Sequence, residues 1–432
     1  MSQTLKAVRG TRDLLPPETA LWNRIETTAR AVFARYNFGE IRTPLFEDTA
    51  LFARGVGEET DIVSKEMYTW DDRARAQSEK TQSLTLRPEN TAGVVRAYIE
   101  HQLGESGQLQ KLYYIGPQFR RERPQKGRYR QFSQIGAEVI GPTSAGSESP
   151  IRDAEVLEML ATLLDELGIT GWTLHLNSVG SQADRAKYNE TLRAALVPVV
   201  DQMCVDCQRR AVTNPLRVLD CKVPADQPII DTLPVIADSL DEASKAHFAA
   251  VLAALDTSGV PYTRNHRLVR GLDYYTRTTF EFTHGGLGAQ NALLGGGRYD
   301  GLSEAIGGPK APGIGFAMGE DRLVLTLQAL ETAQLELKGD AFIAPLGEGI
   351  NPAALALAKE LRAAGLRIEL GEGSFRLKKS FEAADKTARA IVILGEDELK
   401  SGILTVKTFA TGVQTKVPRG ELAAFLAKPA QE

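Results

Sequence analysis

The chain has 432 residues, 43% hydrophobic and 25% charged, with a formal net charge of −4. That composition suits a globular protein of about two or three domains; no run of about 18 apolar residues could form a transmembrane helix, the start MSQTLKAVRGTRDLLPPE lacks the apolar stretch of a secretory signal, and three cysteines make no disulfide framework. A reducing cytoplasm is therefore expected, and the slight acidity argues against a surface that coats nucleic acid while leaving room for a local basic site.

Residues 18–36 place Leu21, Trp22, Ile25, Ala29, Val32 and Phe33 at helical spacing, with Pro16 and Pro17 at the start, where proline is tolerated. EIRTPLFEDTALF (40–52) reads as a strand ending near Pro44. TLRPENTAGVVRAYIEH (85–101) reads as a strand, a proline break and a helix containing Val94, Val95, Tyr98 and Ile99. Glu89 and Thr91 sit at this junction. Asn90 or Thr91 as an N-cap, with an acid in the first turn, would account for them without any ligand.

Residues 111–140, KLYYIGPQFRRERPQKGRYRQFSQIGAEVI, carry seven Lys or Arg between 111 and 130 against one acid, Glu122. A local charge of about +6 in an acidic chain suggests phosphate. The stretch alternates like a β-hairpin. Gln118, Arg120 and Glu122 occupy even positions, and Tyr113, Ile115 and Phe119 odd ones facing a core, with Pro124 and Gly127 at the turn. The return strand puts Arg128, Arg130, Phe132, Gln134, Gly136 and Glu138 on one face. Gln134 and Glu138 would stand roughly 13 Å apart, with Gly136 leaving an open floor between them for a small polar ligand. The pattern equally fits a solvated hairpin with a basic tip.

A loop over 141–150, a helix over 151–167 and a strand in GWTLHLNSVG follow. Residues 181–258 are helix-prone and lack glycine, which reads as a helical insertion. Its Cys204, Cys207 and Cys221 have the spacing C-x2-C-x13-C, three parts of a zinc site. No fourth Cys or His lies near (the closest is His247), so no metal is expected on the cysteines. RGLDYYTRTTFE (270–281) places Arg270 at a turn before Tyr274 and Tyr275, a set that could hold an anion beside a ring or amine, or serve as a surface turn entering an edge strand. GGGRYDGL (295–302) lacks the Gly-Lys-Ser/Thr ending of a phosphate loop and the strand–helix setting of a dinucleotide fold. In GIGFAMGEDR (313–322) small residues would let a nucleotide lie on the backbone with Arg322 near its phosphates; tight strand–helix packing is the alternative. After a linker over 331–338, residues 339–432 alternate strands and helices as in a compact α/β domain with a mostly parallel sheet, whereas residues 1–330 read as α+β with an antiparallel sheet.

Taken in order, FGEIRTPLFEDTALFARGVGEETDIVSKEMYTW (38–70), TLRPENTAG (85–93), YIGPQFRRERPQKGRYRQFSQIGAEVIG (114–141), LNSVGS (176–181), RGLDYYTRTTFE (270–281), GGGRYDGL (295–302) and GIGFAMGEDRL (313–323) resemble the histidyl-tRNA synthetase family of class II aminoacyl-tRNA synthetases. The resemblance spans nearly the whole chain, and RGLDYY is specific to that family within class II. Asn90 where Gly is usual, and Val139-Ile140 where aromatics are common, are departures that touch no charge the chemistry needs.

The resemblance implies a class II catalytic domain, an antiparallel sheet flanked by helices, over 1–330 with a helical insertion about 181–260, and a C-terminal α/β anticodon-binding domain over 339–432. It implies an enzyme that activates L-histidine with ATP to histidyl-adenylate, releasing pyrophosphate, with Mg2+ on the nucleotide, and passes the histidyl group to the 3′ end of tRNA-His. By position, Arg120 and Arg270 would hold the α-phosphate, Glu122 the adenine amino group, and Arg322 the adenine and γ-phosphate. Glu89, Thr91, Gln134 and Tyr274 would hold the α-amino group, and Glu138 with Tyr275 the imidazole. No histidine of the chain would be needed. A cytoplasmic homodimer formed through the segment around Pro44 is implied as well. The rival from another class is the regulatory subunit of ATP phosphoribosyltransferase, a non-catalytic relative that typically lacks the C-terminal domain and loses substrate-binding residues; here both are present.

Overall fold

The computed structural model of the chain describes residues 4–57, 60–72, 81–125, 127–287, 291–330 and 338–428. They divide into two compact units, Met1–Ala333 and Gln334–Glu432. Most of the expected linker, 331–337, and Lys126 of the basic turn lie outside the described residues.

In the first unit the opening helix, Glu18–Arg35, buries all six residues of the apolar stripe. The strands are β1 (Gly39–Glu40), β2 (Phe46–Asp48), β3 (Tyr68–Asp72), β4 (Gln82–Leu86), β5 (Gln110–Phe119), β6 (Gln131–Ile140), β7 (Trp172–Ser178), β8 (Thr263–Arg264), β9 (Thr276–His284), β10 (Ala292–Arg298) and β11 (Gly313–Gly319). Eight of them form one sheet in the order β1-β5-β6-β11-β10-β9-β7-β8. From β5 to β7 the neighbours run antiparallel, and the two-residue edge strands β1 and β8 add parallel pairs. Such a sheet keeps one antiparallel surface continuous, and the side chains of distant segments meet there.

The strand expected to end near Pro44 is short, with only Gly39–Glu40 paired, as β1. Pro44 cannot donate to a ladder, and Asp48 caps a helix over Thr49–Val56, its carboxylate accepting from the Ala50 amide at 2.8 Å. Leu51, Phe52, Gly55 and Val56 then bury at helical spacing. Just before this helix, Phe46–Asp48 is extended in a separate small sheet of order β2-β4-β3.

Between β7 and β9 the chain makes helices Gln182–Leu196, Val205–Thr213 and Glu242–Ser258 with several single turns. This segment has its own core, which includes Tyr188, Leu192, Cys207, Val218 and Cys221. The motif GGGRYDGL is β10 and its exit turn. Arg298 is fully buried, donating to Ser147 O at 2.9 Å and Asp300 Oδ1 at 3.0 Å and pairing with Asp153, which also meets His247 Nε2 at 2.9 Å. Removing one partner of such a pair costs about 3–5 kcal/mol, so this arginine holds the sheet to its helices.

The second unit has β12 (Ala341–Pro345), β13 (Ile368–Leu370), β14 (Ala390–Leu394), β15 (Ile403–Thr408) and β16 (Gln414–Pro418) in the order β13-β12-β14-β15-β16. β12 pairs parallel with β13 and β14, but β14-β15 and β15-β16 are antiparallel, so the sheet is mixed rather than mostly parallel. Gly402, with φ of 68°, ends the short helix Glu396–Ser401 and turns the chain directly back into β15.

Candidate active site

A cavity of about 780 Å³ opens on the antiparallel sheet and gathers Arg120, Glu122, Gln134, Arg270 and Arg322 from segments far apart in the chain. Arg120 follows the last residue of β5; its amide donates to Arg130 O at 2.9 Å, its Nε to Pro88 O at 2.8 Å, and its guanidinium lies 5.3 Å from the Phe132 ring centre. Glu122 accepts from Arg128 Nη1 at 3.2 Å and stands 3.9 Å from Arg120 Nη1. Arg270 Nη1 pairs with Glu281 Oε1 at 2.5 Å, and its Nε is buried without a partner. Burial would lower the pKa of Arg270, but Glu281 outweighs it and the net shift is upward. Arg322, in the first turn of helix Glu320–Ala329, donates from Nη1 to Ala292 O at 2.7 Å.

A second group lies behind the cavity, buried. Glu89 accepts from the amides of Thr91 at 2.7 Å and Ala92 at 3.0 Å, so this carboxylate caps the helix Thr91–Glu100. Asn90, the residue in the cap position, instead takes hydrogen bonds from Thr43 Oγ1 at 2.6 Å and Arg87 Nη1 at 3.3 Å. Burial raises the Glu89 pKa, and the two amides oppose it. Glu138 is fully buried; Thr91 Oγ1 and Tyr299 Oη each donate to it at 2.7 Å. Burial dominates and pushes its pKa up to about 8 despite those donors. The Tyr274 and Tyr275 rings pack edge-on with centres 4.7 Å apart, and Tyr274 reaches Tyr299 at 5.9 Å. Burial pushes the Tyr275 hydroxyl up to about 12.

Three strand glycines make this packing possible. A Cβ at Gly295 would sit 2.5 Å from Arg270 Cζ, one at Gly315 1.7 Å from Glu138 Oε2, and one at Gly136 2.3 Å from Tyr114 Oη. The last contact corrects an expectation. The floor between Gln134 and Glu138 is not open, because Tyr114, paired with Gly136 across β5 and β6, lays its phenol over it. Gln134 thus lines the cavity while Glu138 does not. Gln134 Oε1 is buried without a hydrogen bond.

Other expectations change too. Gln118 is fully buried rather than on a polar face. The basic charge is not one patch. Lys111 pairs with Glu155 at 2.8 Å, while Arg120 and Arg128 line the cavity and Arg121, Arg123 and Arg128 border a shallower neighbouring depression with Lys65. No fourth ligand was expected near the cysteines, yet Asp226 joins Cys204, Cys207 and Cys221. Among the described residues no histidine lines the cavity.

Tyr114, Tyr299, Arg217, Arg267 and Glu281 belong to the same region and were given no role from sequence. Tyr114 carried a usable signal, since it shares strand parity with Gln118 on the face given to polar groups. Arg217 and Arg267 come from segments with no local pattern, and only the packing of the helical insertion brings them to the cavity wall.

Comparison with known proteins agrees with this architecture. A family model described as Histidyl-tRNA synthetase matches residues 10–323, and one described as Anticodon binding domain matches residues 340–428. The chain is 73% identical over 423 residues to the Histidine--tRNA ligase of Koribacter versatilis (strain Ellin345), covering 98% of this chain and 96% of that protein. It is 57% identical over 425 residues to that of Solibacter usitatus (strain Ellin6076), covering 98% and 99%. Among solved structures, apo S. aureus histidyl-tRNA synthetase superposes with a TM-score of 0.78 at 38% identity, covering 98% of this chain and all of that one.

Proposed function

Because this chain belongs to the histidyl-tRNA synthetase family, we propose that it is a cytoplasmic histidine–tRNA ligase, which activates L-histidine with ATP and transfers it to the 3′ end of tRNA-His. The observation that carries this reading is the convergence of Arg120, Arg270 and Arg322 on one cavity, with a buried carboxylate and tyrosine cluster behind it. Cations belong where a carboxylate attacks a phosphate, since two anions must meet and charge builds on the phosphorus oxygens.

Arg120 and Arg270 hold the α-phosphate from two sides, Glu122 takes the adenine amino group, and Arg322 meets the adenine and γ-phosphate. Gln134, with its unpartnered Oε1, accepts from the substrate's α-amino group, aided by Glu89, Thr91 and Tyr274. Glu138 and Tyr275 receive the imidazole, beside the Tyr114 phenol that lies over Gly136. With a pKa of about 8, Glu138 can donate to a bare ring nitrogen or accept from a ring N–H. Pairing both ring nitrogens rejects other side chains by leaving buried groups unpaired, an effect of order 10⁴-fold or more. Mg2+ bound with ATP would neutralise the charge of the leaving pyrophosphate; Glu281, a hard oxygen donor on the cavity wall, would fit such an ion.

The basic depression around Arg121 and Arg123 suits the phosphates of the tRNA acceptor end. The protein works as a homodimer through the segment around Pro44, beside which Leu45 and Phe46 are exposed; a monomer at micromolar concentration in sedimentation would contradict this. The function itself is tested by ATP–pyrophosphate exchange with each of the twenty amino acids. Exchange driven by histidine alone is expected, and exchange driven by another amino acid, or by none, would overturn it.

A further inference from the structure

Four side chains in the helical insertion converge without any role in the chemistry above. The ligand atoms of Cys204, Cys207, Cys221 and Asp226 all lie within 4.8 Å of one another. Cys204 and Cys221 sulfurs are 3.9 Å apart, and Asp226 Oδ2 is 3.3 Å from Cys221 Sγ. A tetrahedral zinc with Zn–S bonds of about 2.3 Å sets its ligand atoms about 3.8 Å apart, so the group needs only slight contraction to close on an ion.

The surroundings match. Cys204 stands at the N-cap of helix Val205–Thr213 and Cys207 in its first turn, while Cys221 and Asp226 come from the loop that follows. Backbone amides are turned toward the ligands: Val223 N donates to Cys221 Sγ at 3.4 Å, and Cys204 N to Asp226 Oδ1 at 3.1 Å. Such outer hydrogen bonds orient metal ligands and delocalise their charge. Asp226 is 1% exposed, and among the described residues it forms no ion pair with Lys, Arg or His. Three thiols used only as core filler would not call for a carboxylate buried among them, since a buried charge needs a counter-charge.

We infer that Cys204, Cys207, Cys221 and Asp226 form a structural binding site for one zinc-class divalent cation. Binding replaces three S–H bonds with metal–sulfur bonds and releases three protons to solvent, while the carboxylate enters already ionised. Soft thiolate ligands in a closed four-ligand set select zinc over magnesium or calcium.

The site also bears on the cavity. The segment between the two ligand pairs carries Arg217, Leu219 and Asp220 on the cavity wall, and Lys222 follows Cys221 there. Arg217 Nη1 donates to Gly271 O at 3.2 Å, one residue past Arg270. The ion would thus pin the loop that steadies Arg270, acting as a positioning element rather than in the reaction.

The test uses the full chain, expressed with added zinc and purified without chelator. Elemental analysis should give about one zinc per chain. Exchange for Co2+ should give a near-ultraviolet thiolate-to-cobalt band and visible bands of tetrahedral intensity. Asp226→Asn and Cys207→Ser should each lower the zinc content, and chelation of the parent should lower its melting temperature. If the Cys207 variant fails to fold, the cobalt spectrum of the unaltered chain still decides. No bound zinc and no cobalt bands, a Cys204–Cys221 disulfide in the freshly purified reduced protein, or full zinc content in Asp226→Asn would each overturn the four-ligand site.

Discussion

The surroundings of Arg270 fit the anion-binding role proposed for it. Glu281 holds its Nη1, the glycine beneath it leaves room for the guanidinium, and its Nε is buried without a partner. Replacing Arg270 with Ala should slow histidine-dependent pyrophosphate exchange by about 100-fold or more, the cost of losing one preorganised group at the developing charge, with little loss of histidine affinity; near-normal exchange would refute the role. Glu320 makes a different kind of residue-scale prediction. Its Oε1 accepts from Ser133 Oγ at 2.6 Å, its Oε2 has no partner, and burial pushes its pKa up to about 8. The unfolded chain releases that proton near pH 4.3, as free glutamate does. Between those values the folded state holds a proton that the unfolded state has lost, so stability falls as pH rises through the window, and Glu138 acts in the same direction. Glu320→Gln cannot ionise. Its melting temperature relative to the parent should climb from about pH 5 to about pH 9, and a constant difference would contradict the shift.

At the scale of elements, the site is a set of strands on which glycine makes room for a partner's side chain. Gly315 pairs with Glu138 across β11 and β6, and its missing Cβ is the space that the carboxylate occupies. Gly315→Ala should cost about 1–3 kcal/mol of stability by overpacking and weaken histidine more than ATP, as read by separate KM values; unchanged constants would show that Glu138 adapts freely. The hairpin was legible in its alternation, and residues 131–140 do form its second strand. What alternation could not supply was the neighbour. Tyr114 covers Gly136 because the register sets them opposite each other, and register is a property of two strands together. The chain beyond Pro44 turns helical for a local reason, since a capping aspartate is followed by residues that bury at helical spacing.

Across the whole molecule, the two units have separate cores. The second is built on Ile343, Leu357, Val392, Leu404 and Leu422, all from within it. Every residue placed in the candidate site belongs to the first. Removing residues 334–432 should therefore leave adenylate formation nearly intact and abolish charging of tRNA-His at ordinary tRNA concentrations. Unaffected charging would mean that the C-terminal unit does not read the tRNA, and loss of both steps would mean that the first unit needs it to fold.

Periodicity and turn chemistry act over a few residues, so the stripe of the first helix, the hairpin, and the alternating strands and helices of the tail could be read directly from the order of residues. The charged candidates for the site came from motifs that resemble a family's, because each motif is also local. Tertiary packing alone decided which groups touch. Burial made Glu138 a weak acid, Glu89 a helix cap and Tyr114 the cover of the pocket floor. It also brought Asp226 to three cysteines, where an aspartate in a loop carries no signal of its own. Proximity between distant segments depends on the summed packing of everything between them, and no short window of sequence contains that sum.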